Sequence, residues 1–231
     1  MDLGRCLVEE APPTVHYIPN FVTAEEAEDL WKQVYAAPKP KWTQLSNRRL
    51  QNWGGVPHEK GMVCEPMPKW LSDCRERVKD LGVFGDKTPN HVLVNEYTPG
   101  QGIMPHEDGP LYHPVVTTIS LGSHTLLDFY KSLSNTDHQD TTHDASYESR
   151  YIFSLLLEPR SLLVLQNDMY TRYLHGISQR EKDTVSDQQR VANGSRLGQP
   201  LSFAEELNRS TRVSLTIRHV PKTFKIKLKL K

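Results

Sequence analysis

From residue 91 onward the chain runs in short β-rich segments separated by turn signals. They are HVLVNEY (91–97), VVTTISLG (115–122), TLLDFY (125–130), YIFSLLLE (151–158), SLLVLQ (161–166), TRVSLTIRHV (211–220) and the terminal TFKIKLKLK (223–231). Segments of this length and composition predict strands. The pattern before residue 91 is different. After an extended TVHYIPNF, Thr23 is followed three residues later by Glu26, the reciprocal capping-box spacing, and Ala27, Leu30, Trp31, Val34 and Tyr35 share one helical face. A second helix is predicted over PKWLSDCRERVKDLG. Pro68 suits a first turn, Trp70, Leu71, Cys74, Val78 and Leu81 form an apolar stripe, and Gly82 stands where a C-cap would. Helices first and then a series of short strands predict an α+β fold, with the helices packed on a sheet and the strands closed into a sandwich or jelly roll.

The 231 residues, 37% of them hydrophobic, suffice for one sizeable core, so a single domain over 1–231 is expected. Lys plus Arg balance Asp plus Glu at 28 each. With no net charge, no global field draws the chain to nucleic acid or an acidic membrane, and any such attraction has to be local. The opening has no apolar signal region, and no run approaches the ~18 to 20 apolar residues of a membrane span. The reading is a soluble monomer with no membrane association. Cys6, Cys64 and Cys74 are odd in number and lack paired spacing, so a reducing compartment, cytoplasm or nucleus, is expected. Two polar, non-periodic stretches, 131–150 and 178–210, are expected to be flexible surface inserts. His138 and His143 lie in the first, beside Asp137, Asp140 and Asp144. A flexible insert holds no fixed coordination geometry, so these histidines are read as solvated.

Chemistry concentrates in VNEYTPGQGIMPHEDGPLYHP (94–114), where His106 and Asp108 follow a glycine-rich bend. On an extended segment residues i and i+2 share a side, so both side chains can turn to one face. His175 in MYTRYLHGI is the best candidate for a third ligand, because it follows the apolar strand SLLVLQND and precedes a glycine that would let the chain turn at a rim. Two histidines and one carboxylate make the facial triad that favours non-haem Fe(II). Taken alone, the HED triplet has a plainer reading as part of a polar turn. In RVSLTIR, Arg212, Ser214, Thr216 and Arg218 alternate with Val213, Leu215 and Ile217, so a strand here is apolar on one face and carries two guanidinium groups on the other. Their backbones stand ~20 Å apart by the strand rise. Side chains reaching inward by roughly 6 Å leave a gap suited to a short dicarboxylate, which arginine binds in bidentate fashion. A solvated edge strand would show the same alternation. The conjunction of this strand with His-x-Asp and a downstream His is what favours a site.

VNEYTPGQGIMPHED, LHGI and RVSLTIR resemble, in the same order, the Asn-x-Tyr…Pro-Gly…His-x-Asp, His-Gly-Ile and Arg-x-x-x-x-x-Arg blocks of the AlkB-like Fe(II)/2-oxoglutarate dioxygenases. RRLQNWGG resembles the Arg…aromatic-Gly segment of that family's nucleotide-recognition lid. The resemblance covers roughly residues 15 to 220 apart from the inserts. It implies the double-stranded β-helix form of the jelly roll. It also implies iron held by His106, Asp108 and His175, and a 2-oxoglutarate cosubstrate whose distal carboxylate meets Asn95, Tyr97 and Arg212, with Ser214 beside them and Arg218 near the metal end. The chain departs from the family pattern at Ser214, where many members carry Asn, and at Pro110, where some nucleic-acid demethylases carry a second acidic residue.

The function this implies is oxidative demethylation of N-alkylated nucleic acid, DNA or RNA, using Fe(II), 2-oxoglutarate and O2. Flipped bases stack on aromatics, and Trp53 and Tyr112 are the candidates for that role, with Arg48 and Arg49 for phosphate. Trp53 also suits a core position beside its Gly-Gly turn. The same centre could hydroxylate or demethylate a protein side chain, and a silent nucleic-acid-binding module of the same fold is a third reading, against which the intact ligand set argues. In the tail, Lys225, Lys227, Lys229 and Lys231 alternate with apolar residues, a local basic stripe that would either protect an edge or touch phosphates.

Overall fold

Alternating strands of this kind bury their apolar faces against one another, and here they do so as two facing sheets flanked by the N-terminal helices. The computed structural model describes residues 2–132, 146–185, 190–200, 202 and 206–224. In chain order the strands are β1 (Val15–Ile18), β2 (Thr43–Leu45), β3 (Arg48–Trp53), β4 (Met62–Val63), β5 (His91–Tyr97), β6 (Ile103–His106), β7 (Val115–Gly122) and β8 (Thr125–Lys131). They continue as β9 (Tyr151–Leu157), β10 (Leu162–Gln166), β11 (Tyr173–Ile177), β12 (Lys182–Thr184), β13 (Glu206–Asn208), β14 (Arg212–Arg218) and β15 (Thr223–Phe224). Helices α1 (Ala24–Tyr35) and α2 (Lys69–Lys79) come early, and two single turns, α3 (Tyr147–Arg150) and α4 (Asp168–Thr171), join later strands.

Both long helices fall where the sequence predicts them. Glu26 N donates to Thr23 Oγ1 at 3.1 Å and Thr23 N donates to Glu26 Oε2 at 2.8 Å, so the capping box closes. The larger sheet has the order β1-β10-β7-β14-β5-β3-β2 and the smaller one β6-β11-β8-β9. Leu30 and Val34 of α1 and Leu71, Cys74 and Val78 of α2 pack on Val92, Val94, Ile119, Val213, Leu215 and Ile217 of the larger sheet's outer face. The inner face meets the smaller sheet through Val116, Leu163 and Leu165 against Leu127, Phe129, Phe153 and Leu155. Each such fully buried side chain contributes about 1.5–3 kcal/mol. The architecture is the expected α+β jelly roll, a double-stranded β-helix with helices on its larger sheet.

Within 178–210, the described residues 178–185, 190–200, 202 and 206–210 include segments fixed by specific contacts. β12 pairs with β13, and Asp183, fully buried, takes two hydrogen bonds of 2.7 Å from Arg209. Asn193, also fully buried, bonds both the N–H and the C=O of Leu156 at 2.9 Å, while Ala192 and Arg190 bond the backbone of Ser154. These residues thereby cover the outer edge of β9. Their polar groups satisfy one another, which leaves no hydrophobic period to read. In the first stretch, α3 is formed at 147–150, and residues 133–145, with His138 and His143, lie outside the described residues. The tail is described only to Phe224, where β15 pairs parallel with β4; the lysine stripe lies beyond. No helix among the described residues is long and apolar enough to cross a membrane.

Candidate active site

The two sheets enclose a cavity of about 250 Å³, into which β5, β6, β11 and β14 project their polar side chains. β6 and β11 run antiparallel with His106 directly opposite His175, and Asp108 follows two residues past the end of β6. Such close pairing needs the glycine after His175. A Cβ on Gly176 would stand 2.9 Å from Pro105 N and 3.0 Å from Ile103 O, so this glycine sits inside β11 and admits a neighbouring strand, where the sequence pointed to a turn at a rim.

One ligand atom from each of His106, Asp108 and His175 lies within 4.8 Å of the others, and among the described residues no other group of three such side chains gathers this way. The imidazole rings are 4.5 Å apart, and His175 Nε2 is 4.0 Å from Asp108 Oδ2. His106 Nδ1 is 2.9 Å from Met104 O; donating there, it leaves Nε2 with a free lone pair. Burial lowers the His175 pKa to about 4, against the pull of Asp108, so this ring is neutral with an open lone pair at physiological pH. Burial pushes Asp108 upward as the largest single effect, but Arg218, His175 and His106 together hold it below the usual aspartate value. Its Oδ1 is taken by Arg218 Nη1 at 2.5 Å, which leaves Oδ2 on the histidine side. Two imidazoles and one carboxylate, with lone pairs converging, fit a divalent iron.

Arg212 is 4% exposed. Its Nη2 donates to Ser120 Oγ at 2.9 Å, its Nε has no partner, and among the described residues no carboxylate forms an ion pair with it. Burial brings its pKa down to about 10. A buried cation without a counter-ion is costly, and this one lines the cavity with Asn95, Tyr97 and Ser214. Strand register explains the grouping, since Arg212 stands opposite Tyr97 and Ser214 opposite Asn95. That donor set fits one carboxylate of a dicarboxylate ligand.

The structure separates the substrate candidates. Tyr112 lines the cavity with its ring 4.1 Å from the Arg218 guanidinium carbon. Arg49 and Trp53 do not line it. Arg49 grips Glu96 with two bonds of 2.7 and 2.8 Å and stacks on Trp42, while Trp53 packs on Trp70 and donates to Gln51. Both belong to the helix-covered face of the larger sheet. Residue parity on β3 instead turns Arg48 inward, where its Nε donates to Asn95 Oδ1 at 3.2 Å. Glu107 also lines the cavity and escaped the sequence reading. The signal for Arg48 was present but incomplete: Glu96 separates Asn95 from Tyr97, and whichever arginine pairs with Glu96 must face away.

A family model described as the 2OG-Fe(II) oxygenase superfamily matches residues 40–218. The chain is 57% identical over 228 residues to a zebrafish (Danio rerio) protein named probable RNA/DNA demethylase ALKBH6, spanning 99% of this chain and 94% of that one. It is 25% identical over 220 residues to tRNA (carboxymethyluridine(34)-5-O)-methyltransferase alkbh8 of Xenopus tropicalis, covering 90% of this chain and 32% of that protein. Among solved structures, OsALKBH1 aligns with a TM-score of 0.55 at 14% identity, over 90% of this chain and 98% of the other. A Pseudomonas putida prolyl-4-hydroxylase aligns at 0.54 and 11% identity, over 94% of this chain and 97% of the other. These two likenesses concern the fold alone.

Proposed function

The chain belongs to the 2OG-Fe(II) oxygenase superfamily, and on that premise we propose that it oxidatively demethylates N-alkylated nucleic acid. It is a dioxygenase whose family uses Fe(II), 2-oxoglutarate and O2. The observation that carries the reading is the pairing, in one cavity, of a converging His106, Asp108 and His175 with the uncompensated Arg212. The relative named as a probable RNA/DNA demethylase supports nucleic acid as the substrate class.

In this reading His106, Asp108 and His175 would hold the iron, and Arg212, Asn95 and Tyr97 would take the distal carboxylate of 2-oxoglutarate, with Ser214 beside them. When bound, iron and cosubstrate supply the oxidation of a methyl group by O2, with 2-oxoglutarate converted to succinate and CO2 and the methyl carbon lost as formaldehyde. The chain's own contribution is geometric and electrostatic. Arg218 fixes the Asp108 carboxylate by occupying one oxygen and leaving the other for the metal. Met104 O sets the His106 tautomer. Ile103, Val116, Leu127, Leu163, Leu165 and Ile177 wall the cavity with apolar surface that excludes water. Tyr112 offers a ring at the Arg218 side of the cavity on which an unstacked base can rest.

The test is conversion of 2-oxoglutarate to succinate in the presence of methylated oligonucleotides and, separately, methylated peptides. Oligonucleotides should raise turnover and release formaldehyde, and His106→Ala, Asp108→Ala and His175→Ala should each abolish it. Stimulation by peptides and by no oligonucleotide would overturn the nucleic-acid reading. Normal turnover in any of the three variants would overturn the metal assignment.

A further inference from the structure

The three guanidinium groups on the cavity wall differ in what holds them. Arg218 is committed to Asp108. Arg212 stands where a cosubstrate carboxylate is proposed. Arg48 has neither commitment: it is half-buried, its Nε donates to the neutral Asn95, and among the described residues no carboxylate pairs with it. Its neighbour Arg49 shows the contrast, since that guanidinium is saturated by Glu96 on the far face of the sheet. The other carboxylate on the wall, Glu107, is exposed.

With Fe(II) and 2-oxoglutarate in place, three guanidinium groups and a dication face one buried carboxylate and a dianion. The cavity stays positive even when Glu107 is counted. Water screens that exposed carboxylate more than it screens the half-buried Arg48, so the residual positive potential belongs to the interior. N-alkylation of a base yields two electrostatic classes. An alkyl group on an exocyclic amine leaves the base uncharged, whereas alkylation of an endocyclic nitrogen with no proton to lose makes a cation. A cationic base would have to settle against Arg48. An uncharged one can present a ring nitrogen or carbonyl to the guanidinium, which has donors only.

We propose that the cavity selects uncharged N-alkylated bases of nucleic acid, with Arg48 as the specificity-determining residue that donates to the base and disfavours cationic alkylated bases. This rests on the nucleic-acid reading above.

Anaerobic protein loaded with Fe(II) and 2-oxoglutarate is titrated, by fluorescence anisotropy, against single-stranded oligonucleotides that differ at one central base. That base is N6-methyladenine, which is uncharged, or 1-methyladenine, which is cationic at neutral pH. The uncharged probe should bind on the order of tenfold more tightly. Arg48→Gln should narrow the gap and Arg48→Glu should reverse it, with thermal melting of each variant to establish that it is folded. Equal or tighter binding of the cationic probe by the wild type overturns the proposal, however the variants behave. A gap that folded Arg48→Glu leaves unchanged overturns it as well. If neither probe binds while 2-oxoglutarate still does, the nucleic-acid reading itself fails and takes this inference with it.

Discussion

A guanidinium buried without a carboxylate is an expensive side chain to keep, and Arg212 is kept that way. Even with its pKa brought down to about 10 it remains a cation at neutral pH, so folding leaves an anion-shaped demand beside Tyr97 and Asn95. A lysine there would supply charge but not the planar fork. Arg212→Lys is expected to lose one charge-assisted hydrogen bond, about 1.5–3 kcal/mol, or roughly a tenfold to hundredfold rise in the Kd for 2-oxoglutarate. Calorimetric titration of the metal-loaded protein measures it, and unchanged affinity would leave Arg212 without a cosubstrate role. At this scale the sequence is informative about identity and poor about facing. RVSLTIR shows by alternation that Arg212 and Arg218 share a side. It cannot show that Ser120, from a neighbouring strand, is the hydrogen-bond partner Arg212 has. Arg48 and Arg49 look interchangeable in the sequence, and only the pairing of Arg49 with Glu96 on β5 decides which one turns inward.

Elements differ in legibility for a physical reason. α1 and α2 carry a 3.6-residue apolar period and a start signal, and the central strands carry period-two alternation, so each declares itself locally. The β12–β13 hairpin declares nothing, because what holds it is a buried ion pair rather than apolar surface. Asp183 takes both bonds from Arg209, lies 2.9 Å from Arg180 Nε, and faces His124. Burial pushes the Asp183 carboxyl upward as its largest single effect, but His124, Arg209 and Arg180 together hold it far below the ordinary aspartate value. The folded state therefore takes up this proton at lower pH than the unfolded chain does. The pair's contribution is fully present above the unfolded pKa of about 4 and is lost as pH falls through the depressed folded value. Asp183→Asn should cost about 3–5 kcal/mol at neutral pH by leaving Arg209 buried without its partner. The wild type should lose its advantage over that variant as pH drops below about 4. Denaturant unfolding of both proteins across that range tests it: a constant difference would mean that the Asp183 charge is not what fastens the hairpin.

Across the whole molecule, the tryptophans report on one side only. Trp31, Trp42, Trp53 and Trp70, the four in the chain, all pack against the cluster between the helices and the larger sheet, and none lines the cavity. The residues proposed to hold iron lie on the other side, His106 and His175 on strands of the smaller sheet. If the two sheets unfold as one cooperative unit, binding at the cavity must stabilise the tryptophan side to the same extent through linkage alone. Fe(II) with 2-oxoglutarate at about a hundred times Kd contributes about 2.7 kcal/mol, and each kcal/mol raises Tm by about 2–4 °C in a chain of this length. Tryptophan fluorescence should therefore record a rise of roughly 5–10 °C under anaerobic loading, and His175→Ala should show almost none of it. The outcome that defeats this is a tryptophan transition that stays put while a probe confined to the smaller sheet, such as fluorine NMR of fluorotyrosine at Tyr130, Tyr151 or Tyr173, moves upward. The sheets would then be two cooperative units, and the buried residues shared between Val116, Leu163 and Leu165 on one side and Leu127 and Phe153 on the other would not couple them.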